Sequence, residues 1–122
     1  MARILLIEDE EALGRLYQLE LEEEGHDVVI ARGGDDAARE LGRQKPDLMV
    51  VDINLGGSPN GLEVMSRLLG NQPDVPVIIN TAYSHYRSDF MSWAAEAYVV
   101  KSSDLGELKR AIATALEKRK NR

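Results

Sequence analysis

The chain has 122 residues, 43% of them hydrophobic and 30% charged, with 10 Gly and 4 Pro; this suits one folded domain and excludes a collagenous, low-complexity or wholly disordered chain. Fifteen basic against 21 acidic residues give a net charge of −6, so direct nucleic-acid binding, which needs a basic face, is not expected. There is no cysteine, which removes disulfides, thiolate metal sites and a cysteine nucleophile, and no apolar run nears the roughly 18 residues that cross a bilayer, so the expectation is a cytoplasmic protein without membrane insertion.

Ile4-Leu5-Leu6-Ile7 is a continuous apolar run, the pattern of a strand covered on both faces. Leu13, Leu16, Tyr17 and Leu21 follow at helical spacing, with Gly25 as the stop. Val28-Val29-Ile30 reads as a second strand, and Ala37, Ala38 and Leu41 as a short helix ending before Pro46. Leu48-Met49-Val50-Val51 is a third strand, and Leu62, Met65, Leu68 and Leu69 mark a third helix with Gly70 behind it. Val75 to Ile79 is a fourth strand; Pro76 near its start counts against a central position. Residues 84 to 94 read as a fourth helix and Tyr98-Val99-Val100 as the fifth strand. Leu105, Leu108, Ile112, Ala115 and Leu116 give the last helix its buried stripe, with Ser103 as N-cap. The basic tail Lys118-Arg119-Lys120 and Arg122 complements that helix's C-terminus and then frays.

Five strands alternating with five helices predict an α/β fold, a doubly wound parallel sheet, with residues 1–122 as one domain. Ligands of such sheets bind beyond the strand C-termini, at the switch point in strand order. The residues standing there are Glu8-Asp9, Asp52, Asn80-Thr81 and Lys101, whereas the second strand ends in Arg32-Gly33-Gly34. One charge at a strand end is ordinarily just the chain entering water. Four strands that bring three carboxylates, a hydroxyl and an ammonium to the edge selected by topology are a different matter. Two carboxylates about 5 Å apart repel by roughly 3 kcal/mol at an effective dielectric of about 20, so the cluster requires a cation. An oxygen-only ligand set favours Mg²⁺ (or Mn²⁺) over zinc, and Mg²⁺ leaves positions for water and phosphate oxygens. Asp52, at the end of a wholly apolar strand, is then a carboxylate nucleophile able to form an acyl phosphate. Thr81 and Lys101 would share the phosphoryl oxygens with the metal.

Ile7-Glu8-Asp9-Glu10, Gly34-Asp35-Asp36-Ala37, Lys45-Pro46-Asp47-Leu48, Val51-Asp52-Ile53-Asn54, Asp74-Val75-Pro76-Val77-Ile78, Thr81-Ala82 and Tyr98-Val99-Val100-Lys101 together resemble the receiver domain of two-component response regulators, along essentially the whole chain. The resemblance implies a flavodoxin-like (βα)5 fold of strand order 2-1-3-4-5. It implies that Asp52 accepts phosphate from a sensor histidine kinase or histidine phosphotransfer protein. Asp9, Asp52 and the carbonyl of Asn54 would hold Mg²⁺, with Glu8 acting through water, and Thr81, Ala82 and Lys101 would bind the phosphoryl group. Thr81 and Tyr98 would form the switch pair, Tyr98 turning inward to remodel the face of the fourth helix, fifth strand and fifth helix toward a downstream protein. No enzymatic turnover is implied beyond transfer to its own Asp52 and slow self-dephosphorylation.

The chain departs from the family pattern in places. Ser102 stands where Pro is common, which predicts a trans bond and a different loop. The stretch 55–61 is one residue longer, and the segment between Thr81 and Lys101 about two shorter, which shortens or shifts the fourth helix. Tyr83, Tyr86, Phe90 and Ala94 follow helical spacing and pack that helix on the sheet; Trp93 is the candidate for an exposed docking patch, and Tyr83 for a cover that excludes water. His26 and His85, isolated from one another and from any cysteine, are not expected to bind metal. A haloacid-dehalogenase-like phosphatase is one alternative, but wants a second Asp where Asn54 stands. A flavin carrier would need a hydroxyl-rich phosphate loop where Glu8-Asp9-Glu10-Glu11 would repel phosphate. The remaining alternative is a degenerate receiver that acts only as a docking module.

Overall fold

Each apolar run becomes a strand: β1 (Arg3–Ile7), β2 (Asp27–Ala31), β3 (Leu48–Val51), β4 (Val77–Thr81) and β5 (Ala97–Val100). In the computed structural model, which describes residues 2–52, 74–82 and 95–120, these form one parallel sheet in the order β2-β1-β3-β4-β5, the order that the resemblance implies. Among the described residues there are three helices: α1 (Glu11–Glu23), α2 (Gly34–Arg43) and α3 (Gly106–Lys120). The predicted third and fourth helices, the 55–61 loop, Asn54, Tyr83, His85 and Trp93 lie outside the described residues.

Alternation along the strands splits the core into two layers, because successive side chains point to opposite faces. Ile4, Leu6, Leu48, Val50, Ile78 and Val99 meet Tyr17 and Leu21 of α1 and Leu108, Ile112 and Ala115 of α3. Leu5, Ile7, Met49, Val51, Val77, Ile79 and Tyr98 meet Ala37 and Leu41 of α2 on the other face. All four residues of β3 are buried, as a central parallel strand requires.

Several boundaries differ from expectation for identifiable reasons. β4 is central although Pro76 precedes it, because the strand begins one residue later: Pro76 lends only its carbonyl, which accepts from the Met49 amide at 3.0 Å. The strand then runs on through Asn80 and Thr81 rather than ending at Ile79. Ala38 is exposed, and the inward stripe of α2 is Gly34, Ala37 and Leu41. α1 stops at Gly25 as expected, at φ +94°, with the Gly25 amide donating to the Glu22 carbonyl and the His26 amide to that of Leu21. The cap of α3 is the Asp104 carboxylate, which accepts from the Gly106 amide at 2.8 Å, not Ser103. The basic tail does not fray through Lys120: Arg119 binds the Asp47 carbonyl, and Lys118 approaches Glu96 at 3.9 Å.

Candidate functional site

The carboxyl ends of β1, β3, β4 and β5 lie side by side, and there the predicted site residues gather. The Glu8 amide donates to the Ala31 carbonyl at 2.9 Å and the Asp52 amide to that of Ile7 at 3.0 Å, so both acids continue the strand ladders before the chain turns away. The Lys101 amide likewise donates to the Thr81 carbonyl at 2.6 Å. These three side chains are therefore mounted on sheet backbone, which fixes their aim.

Lys101 is the hub. Its ammonium donates to Glu8 Oε1 and to Asp52 Oδ2, both at 2.8 Å. The side chains are 16%, 2% and 6% exposed respectively, so the triad is largely withdrawn from water. The second Glu8 oxygen, Oε2, accepts from the Glu10 amide at 3.3 Å. Burial pushes the Glu8 carboxyl above its ordinary value; Lys101 opposes this and the Asp52 charge adds to it. Burial would by itself lower the Lys101 ammonium, but its bonds to Asp52 and Glu8 prevail and hold it above the ordinary lysine value. Lys101 is therefore a permanent cation.

Asp9 completes the acid cluster from an exposed position, and one carboxylate oxygen from each of Glu8, Asp9 and Asp52 lies within 4.8 Å of the others. Ligand oxygens of an octahedral Mg²⁺ stand roughly 3–4 Å apart, so small side-chain adjustments would bring these three into one coordination sphere. Three carboxylates against one ammonium leave excess negative charge, which a divalent cation would neutralise. Among the described residues, the acids border a cleft of about 500 Å³ that Glu10, Leu13, Ala82 and Lys101 also line. Glu10 and Leu13 were not singled out in the sequence as site residues; their proximity follows from α1 starting directly over the end of β1.

Thr81 is wholly buried at the end of β4, next to Ala82 at the cleft wall. Tyr98 pairs with Ile79 across β4 and β5 and packs into the α2-side core, on the sheet face that Thr81 shares by alternation. The two residues of the expected switch pair are thus on adjacent strands and one face, with Tyr98 inward. In the β5–α3 loop, Ser102 Oγ donates to the Asp104 carbonyl at 2.8 Å and accepts from the Asp104 amide at 3.1 Å. A serine there ties the loop down and leaves Lys101 aimed at both acids.

A family model described as the response regulator receiver domain matches residues 4–113. The chain is 38% identical over 119 residues to the alginate biosynthesis transcriptional regulatory protein AlgB of Pseudomonas aeruginosa, covering 96% of this chain and 26% of that one. It is 35% identical over 120 residues to the response regulator ArlR of Staphylococcus saprophyticus, covering 97% and 54%. The chain therefore spans from about a quarter to about half of these curated relatives. The crystal structure of the response regulator TrrA from Thermotoga maritima in complex with Mg²⁺-BeF superposes with a TM-score of 0.87 at 40% identity, over 94% of this chain and 99% of that one. The complex of the histidine kinase ThkA with TrrA gives a TM-score of 0.85 at 41% identity, over 95% and 99%. No described helix is long and apolar enough to cross a membrane.

Proposed function

The chain belongs to the response regulator receiver domain family, the phosphorylation-activated switches of two-component signalling, and from that premise we propose that Asp52 is its phosphoacceptor. The supporting observation is the gathering of Glu8, Asp9 and Asp52 around one cleft with Lys101 bonded to two of them. A carboxylate oxygen of Asp52 attacks the phosphorus of a donor phosphohistidine. The P–N bond breaks with its electron pair staying on the imidazole nitrogen, and a mixed anhydride forms on Asp52. Asp52 thereby loses its own charge, and the Lys101 ammonium, held beside it, meets a phosphoryl oxygen. The Thr81 hydroxyl and the Ala82 backbone supply further donors. Glu8 (through water), Asp9, Asp52 and the carbonyl of Asn54 would hold Mg²⁺, whose contribution when bound is to neutralise the phosphoryl oxygens.

The phosphoryl group adds about −1.5 to −2 charge at the cleft, and the conformation with more donors for it gains population. Thr81 and Tyr98 carry that shift to the side of the molecule that includes β5 and α3, where a downstream protein docks. The donor is a histidine kinase or phosphotransfer protein. Leu16 and Leu19, the exposed large hydrophobics among the described residues, lie on α1, whose first turns border the cleft, and offer that donor an apolar foothold.

Incubation with acetyl phosphate and Mg²⁺, followed by intact mass, should show one phosphoryl adduct in the parent chain and none in Asp52→Ala. An adduct on Asp52→Ala would overturn the assignment, and steady turnover of p-nitrophenyl phosphate would favour a phosphatase instead.

A further inference from the structure

Lys101 works at a distance from its own strand. In the order β1-β3-β4-β5 its ammonium reaches past β4 to Asp52 after β3 and to Glu8 after β1, standing 2.8 Å from an oxygen of each. Neighbouring strands lie about 4.8 Å apart, so the two acids leave the sheet two and three spacings away from β5. A lysine covers such a gap only with its four-carbon stem drawn out toward the acids, which leaves little slack. Where the Lys101 backbone shifts, the ammonium follows. Whatever holds that backbone therefore bears on the phosphoryl chemistry.

Upstream the hold is the sheet, through the Lys101 amide and the Thr81 carbonyl at 2.6 Å. Downstream the chain leaves the sheet, and residues 102–104 are all exposed, so burial does not fix them. Hydrogen bonds do. The Ser102 hydroxyl donates to the Asp104 carbonyl at 2.8 Å and accepts from the Asp104 amide at 3.1 Å, clasping both main-chain groups of one residue. The Asp104 carboxylate in turn accepts from the Gly106 amide at 2.8 Å, where α3 begins. A Cβ on Gly106 would stand 3.1 Å from Asp104 Oδ1 and 3.0 Å from Arg110 Nη1, so a glycine lets the helix start close against the clasp. Lys101 is thus held between the last rung of β4 and β5 and the first turn of α3, with Ser102 as the side chain that closes the gap.

We infer that Ser102 is a positioning residue for phosphoryl transfer: by clasping Asp104 it fixes the Lys101 backbone, so that the ammonium stays beside Asp52 as the phosphoryl group arrives. The inference rests on Asp52 being the acceptor. Ser102 acts through Lys101 and not on the phosphoryl group itself.

Ser102→Ala removes the clasp and leaves every acid of the cleft in place. Its uptake of phosphate from acetyl phosphate with Mg²⁺ should slow roughly three- to tenfold, since small misplacements of a positioned group cost rate steeply. Its Mg²⁺ affinity by calorimetry should stay within about twofold of the parent. Ser102→Thr keeps the hydroxyl and should restore the parent rate. A second readout needs no phosphoryl group: heteronuclear NMR of the lysine ammonium, with the Lys101 signal assigned by its loss in Lys101→Arg. That signal should shift and exchange faster with water in Ser102→Ala, and return in Ser102→Thr. Uptake at the parent rate in Ser102→Ala would overturn the inference. So would slow uptake with an unmoved Lys101 signal, or a Ser102→Thr as slow as Ser102→Ala. Should Ser102→Ala fail to fold, Ser102→Cys, whose thiol bonds only weakly, takes its place under the same criteria. A parent chain that takes no phosphoryl group would strike the Asp52 assignment and with it the role in transfer. A phosphorylated parent matched by Ser102→Ala strikes only the role of Ser102.

Discussion

Glu8 is held as an acid in a place that opposes its ionisation. It is 2% exposed, and burial raises its carboxyl above the ordinary value despite the Lys101 salt bridge. The sign of the consequence follows from linkage: the unfolded chain releases the Glu8 proton at the ordinary value, 4.5, while the folded chain still keeps it. Stability from this group is therefore lost as pH rises from the unfolded value through the raised folded one. Glu8→Gln, an uncharged stand-in, should accordingly be more stable than the parent at neutral pH in metal-free buffer, with the gap closing on acidification below that window. The same variant should bind Mg²⁺ more weakly. Urea melts at several pH values and calorimetric Mg²⁺ titration check the two halves; a less stable Glu8→Gln at neutral pH would show that the Lys101 bond outweighs burial. The site thus accepts instability at one residue in exchange for charge density where a cation is needed.

At the scale of elements, the ends of helices and strands carry the precision. α1 closes with Gly25 at φ +94°, a conformation that a Cβ disfavours. Nothing lies within 4 Å of a Cβ built there, so strain and not crowding sets the cost of Gly25→Ala. That variant should lose about 1–2 kcal/mol in chemical denaturation with phosphoryl uptake unchanged, because the cap sits at the end of α1 remote from Glu10. A loss below about 0.3 kcal/mol would mean that the turn relaxes to another conformation. β4 shows the converse: extending the strand past Ile79 puts Asn80 and Thr81 under ladder control, and neighbouring residues then serve opposite sheet faces. Lys101 gains in the same way from its amide bond to Thr81, which aligns the ends of two strands.

Among the described residues, the acid cleft and the exposed leucines lie on neighbouring surfaces of the molecule, since α1 begins beside the cleft and carries Leu16 and Leu19 outward. Leu16→Glu/Leu19→Glu should therefore slow phosphotransfer from a cognate histidine kinase at least tenfold, about 1.4 kcal/mol, while leaving uptake from acetyl phosphate within twofold. Parallel assays with the two donors separate docking from chemistry; equal loss with both would assign these leucines to folding. Much of this was legible in the chain itself. Unbroken apolar runs such as Leu48–Val51 have the pattern of strands buried on both faces, and parallel winding then sends every strand's C-terminus to one edge. Glu8, Asp9, Asp52, Thr81 and Lys101 could be picked out on that ground, and the receiver resemblance named the chemistry. Pairwise geometry was not legible. That Lys101 bridges Glu8 and Asp52, and that Asp104 caps α3, join residues distant along the chain or chosen among near-equals nearby. Periodicity reports which face a side chain takes, a local property of the backbone; which partner it meets on that face is decided only when the layers pack.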